Sequence, residues 1–201
     1  MGIFHDRLLE ELDLRGFSKN TKIAYVYGVR EFIKFHKTSP DKLGLPDIKK
    51  YQYFLIKTKK RSPRSVNQQT AAIVFFYKNV LNRTWPVNSI PWMKCQLKIP
   101  ITLTLDEIQK VLNAASNIKH KALLMTMYSS GLRLSEVLNL KFSDIDSKRM
   151  VINIKNGKGG KDRQALLSPH LLECLREYWK KNKEDKSIWL FPSPNKVCKG
   201  K

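Results

Sequence analysis

Cysteines, acidic residues and long apolar runs are scarce in this sequence. The three cysteines, Cys95, Cys174 and Cys198, are scattered, so they form neither a zinc motif nor a disulfide framework and fit a reducing compartment. No uninterrupted apolar run approaches the roughly 18–20 residues that a membrane span needs. The first residues also lack the basic flank and apolar stretch of a secretion signal. We therefore expect a soluble, cytoplasmic protein that binds no membrane.

The shortage of acidic residues leaves a strongly basic chain. Its 201 residues include 38 Lys and Arg against 17 Asp and Glu, a formal net charge of +21. Residues 1–84 hold 17 basic and 7 acidic residues (net +10), and residues 85–201 hold 21 and 10 (net +11). Lysines and arginines that displace condensed counterions gain affinity for DNA or RNA of any base sequence. Both halves of the chain are therefore expected to bind a nucleic acid.

The first 84 residues carry apolar side chains at helical spacing, which predicts four short helices. Ser18 is a candidate N-cap for the second of them, and Ser62-Pro63 is a start signal for the fourth. Residues 83–101 contain three prolines and no helical period, which predicts an extended linker. We therefore expect a domain over residues 1–84, a linker over 85–101 and a second domain over 102–201.

The second half begins with helices and then changes period. Residues 104–107 (Thr-Leu-Asp-Glu) form a capping box, which predicts a helix to about Ala115, and another is expected from Ile118 to Tyr128. From Met150 the apolar residues alternate, as in a half-buried strand, and residues 164–167 supply the returning strand. A final helix begins at residues 168–169. The pattern predicts a mainly α fold with a small β-sheet.

One candidate site lies in residues 129–140. Gly131 ends one helix and Arg133 begins the next, where a guanidinium and free backbone N–H groups suit a phosphate. Glu136 lies one turn further on the same face and is placed to hold that guanidinium in one rotamer. The alternative for these residues alone is an ordinary surface Arg–Glu pair.

A second candidate site is the stretch 155–163 (Lys-Asn-Gly-Lys-Gly-Gly-Lys-Asp-Arg), in which four cations crowd a glycine-rich turn. Glycines let a backbone turn tightly and approach a ligand closely. The stretch is not a P-loop, because no Gly-Lys-Ser/Thr run lies between a strand and a helix. Taken alone, such a stretch is more often a solvated basic turn than a ligand site.

In this order the segments resemble the tyrosine recombinase, or phage-integrase-type, family, especially its Xer-type and integron-type members. Residues 18–25 match the Ser-x-x-Thr-x-x-x-Tyr start of the family's core-binding domain, and 104–107 match the first helix of its catalytic domain. Residues 131–136 match the box of the first catalytic arginine, 157–163 the hairpin of the catalytic lysine, and 189–192 a recurring Trp-Leu-Phe-Pro. The resemblance implies a four-helix SAM-like core-binding domain followed by the N-terminal half of an α+β tyrosine-recombinase catalytic domain.

The resemblance also implies a reaction: site-specific DNA recombination through a 3′-phosphotyrosine, with no metal or other cofactor. Arg133 would stabilise the charge on the non-bridging phosphate oxygens, Lys158 would protonate the departing 5′-oxygen, and Glu136 would orient the site. The remaining cations that we expect at duplex DNA are Lys19, Lys22, Arg64, Lys155, Lys161 and Arg163.

Two motifs that complete the family's site have no match. None of the four histidines is followed by an arginine three positions later, and the seven tyrosines all lie in segments matched to other parts of the fold. We therefore expect a truncated chain, monomeric although family members form tetramers on paired sites. It would bind duplex DNA but cleave it only if a C-terminal segment is supplied. The parent could be a phage, transposon, integron or chromosomal system.

Two alternatives stay open, a non-catalytic DNA-binding remnant or regulator and a basic RNA-binding protein. The truncation also predicts a set of apolar side chains left under-covered in the second domain, namely Leu123, Leu124, Met127, Leu138 and Leu140.

Overall fold

The computed structural model describes residues 2–86, 89–97, 99–157, 159–182 and 187–192. Backbone contacts divide the chain into two units, Met1–Ile99 and Pro100–Lys201. Each unit has its own cluster of buried apolar side chains. Within the described residues, no helix combines the length and the apolar content that crossing a membrane requires.

The described residues of the first unit contain four α-helices, as predicted: α1 (Gly2–Leu14), α2 (Lys19–His36), α3 (Leu45–Lys57) and α4 (Pro63–Asn79). Ser18 caps α2, because its hydroxyl accepts a hydrogen bond from the backbone N–H of Thr21 at 3.3 Å. Ser62 caps α4 in the same way. A short 3₁₀ turn, Pro40–Lys42, lies between α2 and α3.

Helices α2 and α4 approach each other closely at Gly28. A Cβ atom at this position would lie 3.1 Å from the Cβ of Ala72, which is fully buried. The core beside this contact is aromatic, with Phe32 and Phe76 each 1% exposed. Tyr77 is also buried, and its hydroxyl donates a hydrogen bond to the carbonyl oxygen of Pro40 at 2.8 Å. Burial raises the pKa of Tyr77 far above its ordinary value.

The segment after α4 has no helix or strand over residues 85–86 and 89–97, yet its first part packs on the helices. The Trp85 ring lies 4.9 Å from the Tyr77 ring, and Ile90 is 6% exposed. Two side-chain amides bind its backbone: Gln52 donates to the carbonyl of residue 91 at 2.9 Å, and Asn67 donates to that of residue 93 at 2.9 Å. The domain bounds inferred from the sequence stay a prediction.

The second unit contains four helices and a sheet among its described residues. The helices are α5 (Leu105–Ala114), α6 (Ile118–Ser130), α7 (Leu134–Leu138) and α8 (Pro169–Lys181). The strands β1 (Ile145–Asp146), β2 (Val151–Ile154) and β3 (Arg163–Leu166) form an antiparallel sheet in that order.

The register of the sheet explains the period of two. Ile152 lies opposite Ile145 on β1 and Ala165 on β3, and both Ile152 and Ile154 are buried while Val151 and Asn153 are not. The predicted alternation over β2 is therefore confirmed. The sequence did not predict β1, because two residues are too few to show a period.

Leu140 contradicts the expectation of an under-covered side chain, since it is only 2% exposed. It belongs to the same buried cluster as Leu190, whose backbone N–H donates to the Leu140 carbonyl at 2.8 Å. Leu138 is 47% exposed, and Leu123, Leu124 and Met127 are half-buried.

The close approach at Gly28 gives a first prediction. Gly28→Val adds a branched side chain where even a Cβ is tight, so we expect the free energy of unfolding to fall by about 1–3 kcal/mol. Urea denaturation of the whole chain measures it. Lys34→Val, at an exposed position of the same helix, carries the helix propensity of valine without the contact and should cost less than about 1 kcal/mol. Equal losses in the two variants would contradict the packing argument.

Candidate functional site

A glycine positions Arg133. Helix α6 ends at Gly131, whose φ of 59° lies in the left-handed region and whose N–H donates to the carbonyl of Met127. Leu132 then turns into the core, where it is 5% exposed. Arg133 follows as the extended residue that precedes α7, and more than half of its side chain is exposed. The buried leucine thus holds the backbone while the guanidinium stays accessible.

Glu136 is the buried anchor of this arginine, with its side chain 6% exposed. Its Oε1 accepts a hydrogen bond from Nη1 of Arg133 at 2.9 Å, and its Oε2 accepts one from the backbone N–H of Arg133 at 2.9 Å. The backbone bond is the largest cause of a pKa below the ordinary 4.5 for this carboxyl, and the Arg133 and Arg163 side chains lower it further. Glu136 is therefore an ionised carboxylate that fixes Arg133 through two bonds.

Arg163 reaches the same carboxylate from the sheet. Its Nη2 donates to Oε2 of Glu136 at 2.8 Å, across 27 positions of sequence. The predicted contact between Arg133 and Glu136 is therefore present, and the pair is not an isolated surface pair. The contact with Arg163 was missed, because no spacing rule joins a helix residue to one on a distant strand.

The glycine-rich hairpin closes directly beside Glu136. The N–H of Gly157 donates to the carbonyl of Lys161 at 3.1 Å, and the N–H of Asn156 donates to Oδ1 of Asp162 at 2.8 Å. A Cβ at position 157 would lie 2.7 Å from the Lys161 oxygen and 3.5 Å from Oε1 of Glu136. Only glycine fits at this neck. Lys158, the predicted general acid, lies outside the described residues.

Arg133, Glu136 and the neck of the hairpin line one cleft of about 300 Å³. Among the described residues, its lining carries two partly exposed cations and one carboxylate, and it comprises Arg133, Ser135, Glu136, Asn139, Lys155, Asn156 and Gly157. That carboxylate is already bound by arginines. A cleft of this composition suits a singly charged phosphodiester better than a cation.

Lys155 has a buried carboxylate of its own. Its Nζ lies 3.6 Å from Oδ1 of Asp144, whose side chain is 6% exposed. The other oxygen of Asp144 accepts the backbone N–H of Lys141 at 2.9 Å and so begins the 3₁₀ turn Phe142–Asp144. Asp144 was not predicted from the sequence. Its contact with Lys155 links the 3₁₀ turn to the hairpin, and no local spacing pattern in the sequence indicates that contact.

The remaining predicted cations do not share this cleft. Lys161 is exposed in the hairpin. In the first unit Lys19 is exposed at the start of α2, Arg64 is exposed at the start of α4, and Lys22 forms an ion pair with Asp13. Among the described residues, no three His, Cys, Asp or Glu side chains are grouped as a metal ion would require.

Two family models match the chain. The model described as "Phage integrase, N-terminal SAM-like domain" matches residues 4–87, and the model described as "Phage integrase family" matches residues 102–200. The first match confirms the SAM-like fold that the sequence resemblance predicted for the helical unit. The second spans the whole stretch that carries Arg133, Glu136 and the hairpin.

Several relatives match between 75% and 99% of the chain. A tyrosine recombinase XerA of Pyrococcus horikoshii is 32% identical over 207 residues, which cover 99% of this chain and 69% of the relative. An integrase/recombinase of Escherichia coli is 32% identical over 179 residues, covering 86% of this chain and 51% of the relative. Two relatives in Sinorhizobium fredii are 43% and 45% identical, and 60% and 59% of their lengths are covered. The chain thus spans between half and three-fifths of several relatives that it matches.

Solved structures share the fold at low sequence identity. A lambda integrase dimer bound to a core site superposes with a TM-score of 0.73 at 17% identity, over 96% of this chain and 70% of that one. A XerH recombinase bound to its difH substrate gives a TM-score of 0.66 at 18% identity, over 95% of this chain and 62% of that one.

The lowered pKa of Glu136 predicts a pH-dependent contribution to stability. A carboxylate with a lower pKa in the folded chain stabilises fully above its unfolded value of 4.5, and this stability is lost as pH falls through the folded value. We expect Glu136→Gln to cost about 1–3 kcal/mol at neutral pH. The difference from the wild type should shrink on acidification below 4.5, in urea denaturation at a series of pH values. Glu177→Gln, an exposed control on α8, should cost little throughout. A difference that stays constant in acid would contradict the assignment.

The neck of the hairpin gives a second prediction for this site. Gly157→Ala places a methyl group 2.7 Å from a backbone oxygen, so the hairpin must move away from Glu136 at a cost of about 1–3 kcal/mol. Amide resonances of Arg133 and Arg163 should both shift. Gly160→Ala serves as the control, because its Cβ meets open space and only its φ of 72° is strained. That control should leave both resonances in place; the same shifts in both variants would show that the contact at residue 157 is unimportant.

Proposed function

The chain belongs to the tyrosine recombinase family, and from this membership we propose that it acts in site-specific DNA recombination and integration and binds duplex DNA. The observation that carries the proposal is the cleft in which Arg133, held by buried Glu136, faces Lys155 and the glycine-rich hairpin. The core site and the difH substrate to which the lambda integrase and the XerH recombinase are bound support a recombination site as the partner.

The cleft has the chemistry that a scissile phosphate needs. In the transition state of phosphodiester cleavage, negative charge builds on the non-bridging oxygens, and a fixed guanidinium stabilises that charge without reorganising. Glu136 takes one Nη group and the backbone N–H of Arg133. The other guanidinium nitrogens are left for the phosphate, with no metal required for the role.

Cleavage itself is proposed to need a group from outside these 201 residues. A tyrosine hydroxyl attacks the phosphorus, a 3′-phosphotyrosyl ester forms, and the bond to the 5′-oxygen breaks as that oxygen takes up a proton. Lys158 is proposed as the acid that supplies this proton. No tyrosine of this sequence is assigned as the nucleophile, so we propose that the chain alone binds DNA without cutting it. A covalent trap on a nicked duplex tests this, because an adduct would overturn the point.

The first unit is proposed to add affinity along the same duplex. Lys19 and Arg64 are exposed at the starts of α2 and α4, and they leave their charges available to phosphates. Lys22 is shared with Asp13, so its contribution requires that pair to open. Assembly on paired DNA sites belongs to the same proposal, with the 201-residue chain monomeric in the absence of DNA and acting in the cytoplasm.

Duplex binding should be strongly sensitive to salt. Each phosphate that the protein neutralises releases condensed counterions, so added salt lowers the affinity. For a footprint of about 6–10 phosphates, the affinity should fall by a factor of roughly 10³–10⁵ between 50 and 200 mM salt. Fluorescence anisotropy with a labelled duplex measures the slope. The double variant Lys19→Ala/Arg64→Ala should lower the slope of log affinity against log salt by the amount expected for two phosphate contacts, while Glu177→Ala should not. A nearly flat salt titration would contradict the proposal.

The roles of Arg133 and Lys158 separate in a chain extended with a family-type C-terminal segment. Arg133→Ala should abolish strand cleavage and leave binding nearly intact, because it acts on charge that develops only in the transition state. Lys158→Ala should also suppress cleavage, but a substrate with sulfur in place of the bridging 5′-oxygen should restore it, since sulfur leaves without a general acid. Rescue of both variants alike, or of neither, would remove Lys158 from the acid role.

A further inference from the structure

Arg163 lies where the hairpin meets the sheet. It is the first residue of β3 and pairs in register with Ile154, the last residue of β2, so the two mark the base of the hairpin. From that position its Nη2 donates to Oε2 of Glu136 at 2.8 Å. The side chain of Arg163 is 39% exposed and that of Glu136 is 6% exposed. The bond therefore reaches from the partly open base of the hairpin into the interior.

The two oxygens of Glu136 join three donors from two elements. Oε1 accepts Nη1 of Arg133, while Oε2 accepts both the backbone N–H of Arg133 and the side chain of Arg163. One buried carboxylate thus connects the residue before α7 to the first residue of β3. The neck at Gly157 also packs toward Oε1, so backbone and side chain of the hairpin meet at the same group.

We propose that Arg163 is a positioning residue that fixes the base of the hairpin to Glu136, and through it to Arg133, instead of a cation that contacts DNA. Its sequence position in a basic turn favoured a DNA contact, whereas its bond to a buried carboxylate assigns it to holding the cleft together. This inference rests on the proposed function, since the cleft is the one in which the scissile phosphate is proposed to bind.

Lys155 provides the matched comparison on the opposite side of the hairpin base. Its side chain is 68% exposed, it lines the cleft, and its Nζ lies 3.6 Å from Oδ1 of Asp144, beyond ordinary hydrogen-bond distance. Turning toward a phosphate breaks no direct hydrogen bond of Lys155, although it moves the ammonium away from the buried Oδ1 of Asp144. Arg163 would first have to break a 2.8 Å bond to a carboxylate that is only 6% exposed, and it does not line the cleft.

The two kinds of cation differ in the salt dependence of binding. We compare Arg163→Ala and Lys155→Ala in the 201-residue chain, using anisotropy with a labelled duplex. Lys155→Ala should lower the slope of log affinity against log salt by about 0.9, the value for one phosphate contact. Arg163→Ala should leave the slope at the wild-type value, whatever it does to overall affinity. A slope that falls as far for Arg163→Ala as for Lys155→Ala overturns the assignment.

A titration of the Glu136 carboxyl tests the same assignment without DNA. Carbon-13 NMR of the glutamate side chains should show a higher pKa for Glu136 in Arg163→Ala and a smaller rise in Arg163→Lys, which keeps the charge but loses the planar fork. Lys155→Ala should not change it. If Arg163→Ala does not fold, Arg163→Lys carries the test, and an unchanged pKa in the folded variant overturns the proposal. A wild-type chain that binds no duplex would refute the proposed function, while this titration would still decide the role of Arg163.

Discussion

The second unit is organised around one buried carboxylate that cations from two elements share. Glu136 lies almost out of reach of water, and an ionised group there is tolerable only because a backbone N–H and two guanidinium groups satisfy it. The carboxylate fixes Arg133 in place. Because the buried charge must be compensated, α7, the start of β3 and the neck of the hairpin also pack around Glu136.

Electrostatic preorganisation follows from that arrangement. A flexible surface arginine would lose side-chain entropy each time it bound a phosphate, and a cleft of unpartnered cations would be destabilised by their mutual repulsion. Here the negative charge inside the cluster offsets the repulsion between Arg133 and Arg163. The guanidinium of Arg133 is placed before any ligand arrives, and the ordering has been completed during folding. Lys155 is the more exposed cation of the cleft and lies beside a second buried carboxylate, that of Asp144.

The features that were predicted correctly from the sequence depend on local signals. The caps at Ser18 and at residues 104–107, the alternation over β2 and the pair formed by Arg133 and Glu136 all depend on residues within a few positions of each other, and the structure contains each of them. The features that were not predicted from the sequence depend on contacts between distant residues. The hydrogen bond from Leu190 to Leu140, the bond from Arg163 to Glu136 and the pairing of Lys155 with Asp144 join distant positions, and only the tertiary fold brings them together. Composition ranked Arg163 with the other cations because charge alone does not reveal a partner.

The segment after α4 bears on what counts as one cooperative folding unit. Its carbonyl groups at residues 91 and 93 are bound by the amides of Gln52 and Asn67, and Trp85 covers the ring of Tyr77. A fragment that ends with α4 would expose the ring of Tyr77 to solvent. The side-chain amides of Gln52 on α3 and Asn67 on α4 would lose their backbone acceptors and bind water instead. The part of the chain that stabilises the first unit is thus longer than its four helices and extends at least to residue 93.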